Sequence, residues 1–145
     1  MNKVIVQVLS AQKPIEKQSD LILLVFRSLV AFAMIRTHGL KKILDIKGTM
    51  AHIPDPFGIG GELSAYIAIF ANVFCASSVM LGFLTRASAF FILSLTLTGF
   101  FLVHWGDPWP IKDTPLIYSI AFFAILCLGP GKYSLDHVIS NKINK

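Results

Sequence analysis

Four side chains capable of chemistry lie in or at the ends of stretches that water would not reach: Arg27, His38, Asn72 and His104. Arg27 stands inside the run Leu21-Ile-Leu-Leu-Val-Phe-Arg27-Ser-Leu-Val-Ala-Phe-Ala-Met-Ile35. A charge inside a bilayer costs at least about 2.5–3.5 kcal/mol, so this arginine needs a polar partner on a neighbouring element, or water. Histidine is the side chain that changes charge near neutral pH, so His38 and His104 suit a proton relay. Lys42, Glu62, Asp107, Lys112 and Asp113 could gather with them around one mouth. Imidazole and carboxylate together suit zinc, copper or iron, but no HxxxH or HExxH spacing occurs, so no metal is assigned. Histidines that cap helix ends beside solvated carboxylates are the plainer alternative. The serines lack a nucleophile-elbow setting, and Gly58-Ile-Gly60-Gly61 is too bare for a phosphate loop. Cys75 and Cys127 fall in apolar runs, read first as small buried hydrophobes and second as a redox pair.

Composition says what must position these groups. Hydrophobic residues make up 54% and charged residues 14% of the 145, against about 25% charged in a soluble domain. Apolar runs of spanning length occur at roughly 20–38, 62–83, 87–105 and 114–129, the last short enough to rely on tilt or local thinning. The links at Leu84-Thr-Arg86 and Gly106-Asp-Pro-Trp-Pro110 are tight and force antiparallel neighbours. The expected fold is all-α, an up-down four-helix bundle in a membrane. The domain reading is an N-terminal cytoplasmic or interfacial segment 1–19, a membrane domain 20–137 and a cytoplasmic tail 138–145. Met1 to Gln12 lacks the long apolar core and cleavage site of a signal peptide. Lysines and arginines favour cytoplasmic termini, which puts Trp105 and Trp109 in the outer aromatic belt. No basic stripe interleaves with exposed aromatics, so nucleic acid is not an expected partner.

Helical spacing places Arg27, Ala31, Met34 and His38 on one inward face, and Ala65, Ala68, Asn72, Ala76 and Val79 on another. Small residues let helices approach closely in lipid, and an amide there can bond across the gap. The rise of about 1.5 Å per residue puts Arg27 and Asn72 at similar depth, so they are the expected contact. The connection Gly39 to Gly61 is long. Leu40, Ile43 and Leu44 opposite Lys41, Lys42 and Asp45 predict an interfacial helix, followed by an irregular Pro/Gly stretch acting as a lid or cap. The phenylalanines Phe90, Phe91, Phe100, Phe101, Phe122 and Phe123 are read as lipid or helix contacts.

Several landmarks, in order, resemble the DoxX family: Phe26-Arg27, His38-Gly39-Leu-Lys41-Lys42, Gly82-Phe-Leu-Thr85-Arg86, His104-Trp105, Lys112, and Gly129-Pro130-Gly131-Lys-Tyr-Ser134-Leu135-Asp136. The resemblance covers residues 20 to 137. It implies a four-helix protein of the bacterial cytoplasmic membrane associated with redox processes, as in subunits of thiosulfate:quinone oxidoreductase and partners of oxidative-stress complexes. Where the family usually carries a glutamate ten residues before the glycine of Gly-x-x-Thr-Arg, this chain has Asn72. The leading functional expectation is a quinone or a small anionic or sulfur-containing ligand in a polar site, with Arg27 as anchor, Asn72 as its partner, and His38 and His104 handling protons. If catalytic, it would be a subunit of a membrane oxidoreductase. A non-catalytic scaffold for soluble redox partner proteins is the rival and a small transporter a third reading. Homo-oligomerisation stays open.

Overall fold

The computed structural model describes residues 16–143, and every regular element among them is helical, as expected. The expected segment 1–19 therefore lies largely outside the described residues. Helix α1 runs through Glu16–Met34, Ile35–Gly39 and Leu40–Leu44. A short α2 follows at Ile46–His52, then α3 through Gly61–Ile69, Phe70–Cys75 and Ala76–Leu81. Thr85–Thr98 with Gly99–Val103 forms α4, Trp109–Leu128 forms α5 and Leu135–Ile143 forms α6. Four stretches are long and apolar enough to cross a membrane: Gln18–Leu44, Gly61–Leu81, Thr85–Val103 and Trp109–Leu128.

Two boundaries differ from expectation. The turn Leu40–Leu44 continues the first crossing instead of forming an interfacial helix. Asp45 breaks it with a non-helical backbone (φ −132°, ψ 74°), and its carboxylate accepts from Gly48 N at 2.9 Å, which starts α2. The fourth crossing begins at Trp109 and reaches 20 residues, so it needs no thinning of the bilayer. Pro110 sits in its first turn, where a missing N–H does no harm, and Pro115 is carried inside the helix.

Helix α1 packs through Glu16–Met34 on Ala76–Leu81 of α3, α3 on α4, α4 on α5, and α5 returns to α1. The inward stripes read from the sequence are buried at Arg27, Ala31 and Met34 on α1, where His38 is partly buried, and at Ala65, Ala68, Asn72, Ala76 and Val79 on α3. Apolar attraction between helices is weak in lipid, so close packing of small residues must hold them. Gly39 shows how close that is, since a Cβ added there would lie 2.8 Å from Asn72 O. Phe100 and Phe122 are buried between helices, whereas Phe90, Phe91, Phe101 and Phe123 face outward.

Three of the four long helices widen locally. Leu40 N bonds Ile35 O, Ala76 N bonds Ala71 O and His104 N bonds Gly99 O, each five residues back. Such π-helical turns are rare and turn up often at functional sites, because the extra residue re-aims the side chains beside it.

Candidate functional site

The polar groups separate into two sites at opposite ends of the helices. At the end holding the α3–α4 turn and the segment 129–134, Arg27 is 1% exposed. Its Nη1 donates to Pro130 O at 2.8 Å and its Nη2 to Tyr133 O, while Nε is buried with no partner among the described residues. The Asp136 carboxylate lies near enough to act on the guanidinium charge. Asp136 also accepts from Leu84 N (2.7 Å), Thr85 N (2.9 Å) and Thr85 Oγ1 (2.8 Å), capping α4 from across the chain. Leu84 is held in a left-handed conformation (φ 46°), which Asp136 stabilises by taking its N–H. Gly82 ends α3 with φ +73°, and a Cβ there would fall 2.2 Å from Arg27 Nη1. The Gly-x-x-Thr-Arg turn and the Gly-Pro-Gly tail are thus two halves of one clasp closed by Arg27.

The expected Arg27–Asn72 contact is therefore corrected. Ile35–Gly39 of α1 packs on Phe70–Cys75, so Asn72 lies level with Gly39. That is twelve residues, about 18 Å of helix, from Arg27. The depth estimate failed because it took residue 38 as the end of a crossing that continues to Leu44.

The second site is a cavity of about 270 Å³ at the other end, under the long loop. His38, Lys42, Asn72 and His104 all line it, so three of the four expected site residues meet and Arg27 does not. All three π-helical turns supply wall residues: His38, Asn72, and Gly99 with Val103. Ile53, Pro54, Pro56, Phe57 and Ile59 of the long loop line the cavity and cover it. Asp55 ties that lid, accepting from Ile59 N (3.0 Å), Gly60 N (2.7 Å) and Ser64 Oγ (3.0 Å). These bonds, the one from Gly60 first, hold its carboxyl below the usual range.

Several polar atoms in or beside the wall are committed. Lys42 Nζ donates to His38 O at 3.2 Å. Thr37 Oγ1 bonds Ala33 O at 2.6 Å and lies 3.3 Å from Tyr118 Oη. The Ser119 hydroxyl donates to Pro115 O (2.7 Å) and sits 2.8 Å from Thr96 Oγ1. Asn72 is 5% exposed and its side chain makes no hydrogen bond to any described residue, and the His38 ring and Thr98 hydroxyl of the wall make none either. Buried amides are nearly always paired, so an unpaired one in a cavity wall points to something that enters.

The remaining mouth residues fall outside the wall. Asp107 sits behind His104, with Oδ2 2.7 Å from Nδ1. Lys112 lies over the rings of Trp109 (4.6 Å) and Trp105 (5.8 Å) and donates to Trp105 O. Glu62 is exposed in the first turn of α3. Among the described residues no group of three His, Cys, Asp or Glu side chains converges as a metal site. Cys75 is buried, Cys127 is exposed, and both are free. Sequence reasoning missed Tyr118, Thr96 and Thr98 in the wall, although each was visible as a hydroxyl inside an apolar run.

A family model, DoxX, matches residues 22–105. The inner membrane protein YqjF of Escherichia coli (strain K12) is 28% identical over 131 residues, covering 88% of this chain and 98% of that protein. No solved structure matches. With more than half its length matched by the family model and its motif residues closed into one clasp, the chain belongs to the DoxX family and is an integral membrane protein.

Proposed function

We propose that this protein is a multi-pass component of a bacterial cytoplasmic membrane that binds a quinone-type ring in the lidded cavity, within a redox-associated system. The helices then form an up-down bundle, with the lid on the outer face and α6 in the cytoplasm, as the lysine distribution favours. The observation carrying this reading is Asn72, a buried amide without a protein partner in the wall of the cavity. A space of about 270 Å³ lies just under the roughly 300–1,000 Å³ of sites for drug-sized ligands, which suits one ring with small substituents. The wall is largely apolar and its cation, Lys42, is turned onto His38 O. A ring with polar edges loses less on entering such a space than a small anion, whose charge must be stripped of water.

The Arg27 clasp favours one part of the scaffold reading: Arg27 holds the architecture together and does not touch the ligand. The test is equilibrium dialysis of the protein in lipid nanodiscs against a short-chain benzoquinone, its hydroquinone, and thiosulfate. Saturable binding of the ring compounds is expected, weakened about 2–10-fold in Asn72→Leu by loss of one hydrogen bond. Binding of neither ring form to folded protein would sink the proposal and leave the scaffold.

A further inference from the structure

Helix α1 carries a second arginine, and it faces the other way. Buried Arg27, Ala31 and Met34, with partly buried His38, mark the inward face. At 3.6 residues per turn Arg36 falls on the opposite side of the helix, and it is exposed. Its guanidinium makes no hydrogen bond or ion pair to any described residue. Two contacts fix its depth. Arg27 meets Gly82 at the end of α3, and Gly39 packs on Asn72, one residue from the centre of Gly61–Leu81. Arg36 is three residues, about 4.5 Å of helix, from Gly39, and so stands near mid-height of the bundle.

The surface around it is apolar and regular. Val25, Leu29, Phe32, Leu40 and Ile43 are exposed, and together with Arg36 they recur every three or four residues, the spacing of a helix–helix seam. Lipid suits the aliphatic members of that seam but offers nothing to a guanidinium. Arg36 is eight residues from Leu44 and nine from Arg27, about 12 and 13.5 Å of helix, so neither headgroup layer is close.

We infer that the outward face of α1 docks a transmembrane helix of a partner subunit that carries a carboxylate at the depth of Arg36. The carboxylate supplies the charge and the paired hydrogen bonds that the guanidinium lacks, while the seam packs along the same helix. A second copy does not fit this role. Every carboxylate of the chain stands at or near a helix end or in a connection, none in the middle of a crossing. A two-fold axis along the membrane normal would instead set two Arg36 side chains at one depth. Arg36 does not line the cavity, and this contact does not depend on the cavity's ligand.

The test is energy transfer, in phosphatidylcholine vesicles at pH 8, between the labelled protein and a labelled synthetic helix. The helix is a leucine–alanine span of about 20 residues with either Glu or Leu at its centre. The Glu helix is expected to associate about 5–30-fold more tightly than the Leu helix, and Arg36→Leu to abolish that preference. That variant removes an exposed, unpaired charge and strands no partner, so it folds. Equal association of the two helices with the unaltered protein overturns the inference and leaves Arg36 to lipid phosphate. A preference for Glu that survives in Arg36→Leu also overturns it. So does self-association of the unaltered protein that weakens in Arg36→Leu, since the occupant would then be a second copy.

Discussion

Replacing Asn72 by leucine should make the protein more stable and a poorer binder. Most polar-to-apolar core changes destabilise because they strand a partner, but Asn72 has no side-chain partner among the described residues to strand. The Asn72 amide atoms face the cavity, where lacking a protein partner costs up to about 1–3 kcal/mol, and leucine fills a similar volume without that penalty. The buried residues around it on α3, Ala68, Ala71, Cys75 and Ala76, present apolar surface to receive it. At this chain length 1 kcal/mol corresponds to roughly 2–4 °C, so a rise of up to about 12 °C in melting temperature is expected. Tryptophan-fluorescence melts of detergent-solubilised protein would measure it, with Trp105 and Trp109 beside the lid end as reporters. Destabilisation by more than about 1 kcal/mol would refute the reasoning, since it would mean Asn72 is already satisfied in the empty protein.

Arg27→Met should loosen the clasp while sparing the cavity about 18 Å away along α1. Two carbonyls, Pro130 O and Tyr133 O, lose their donor, so destabilisation of about 2–4 kcal/mol and faster tryptic cleavage at Lys132 are expected, with hydroquinone affinity unchanged in the folded fraction. Loss of binding in folded Arg27→Met would join the two sites again. Gly82→Ala demands a left-handed backbone from alanine and drives a methyl into the guanidinium, so a melting experiment should show a loss above about 2 kcal/mol. Because the Asp55 carboxyl is held below its ordinary value, its lid contacts stabilise at any pH above the unfolded value of about 3.9 and fail as pH falls through the lower folded value. Protease cutting between Pro54 and Gly61 should therefore rise in strong acid, and this rise should vanish in Asp55→Asn, whose amide does not titrate there.

Much of this molecule follows from chain-local physics. Apolar length alone specifies four crossings, and helical spacing alone puts Ala65, Ala68, Asn72, Ala76 and Val79 on a buried stripe, because both depend on periodicities of 1.5 Å and 3.6 residues that hold within one element. The need of Arg27 for polar company also follows from its sequence position. Which company it keeps does not. The partners are backbone carbonyls at 130 and 133, more than a hundred residues away, and carbonyls leave no mark in a sequence. The register between helices depends on where each helix ends, and a slip of a few residues at Leu40–Leu44 was enough to pair the wrong depths.

The cavity sharpens the same division. His38, Asn72 and His104 are identifiable one by one as polar groups in apolar surroundings, and the lid as a Pro/Gly-rich connection. Their convergence depends on three π-helical turns, each the outcome of how four helices pack together. The sequence by itself determined the class of the protein, its inward faces and the need to satisfy its buried charge. Only the tertiary structure decided that the charge closes a clasp at one end while the orphaned amide opens a cavity at the other, since depth and pairing between separate helices are set by non-local contacts.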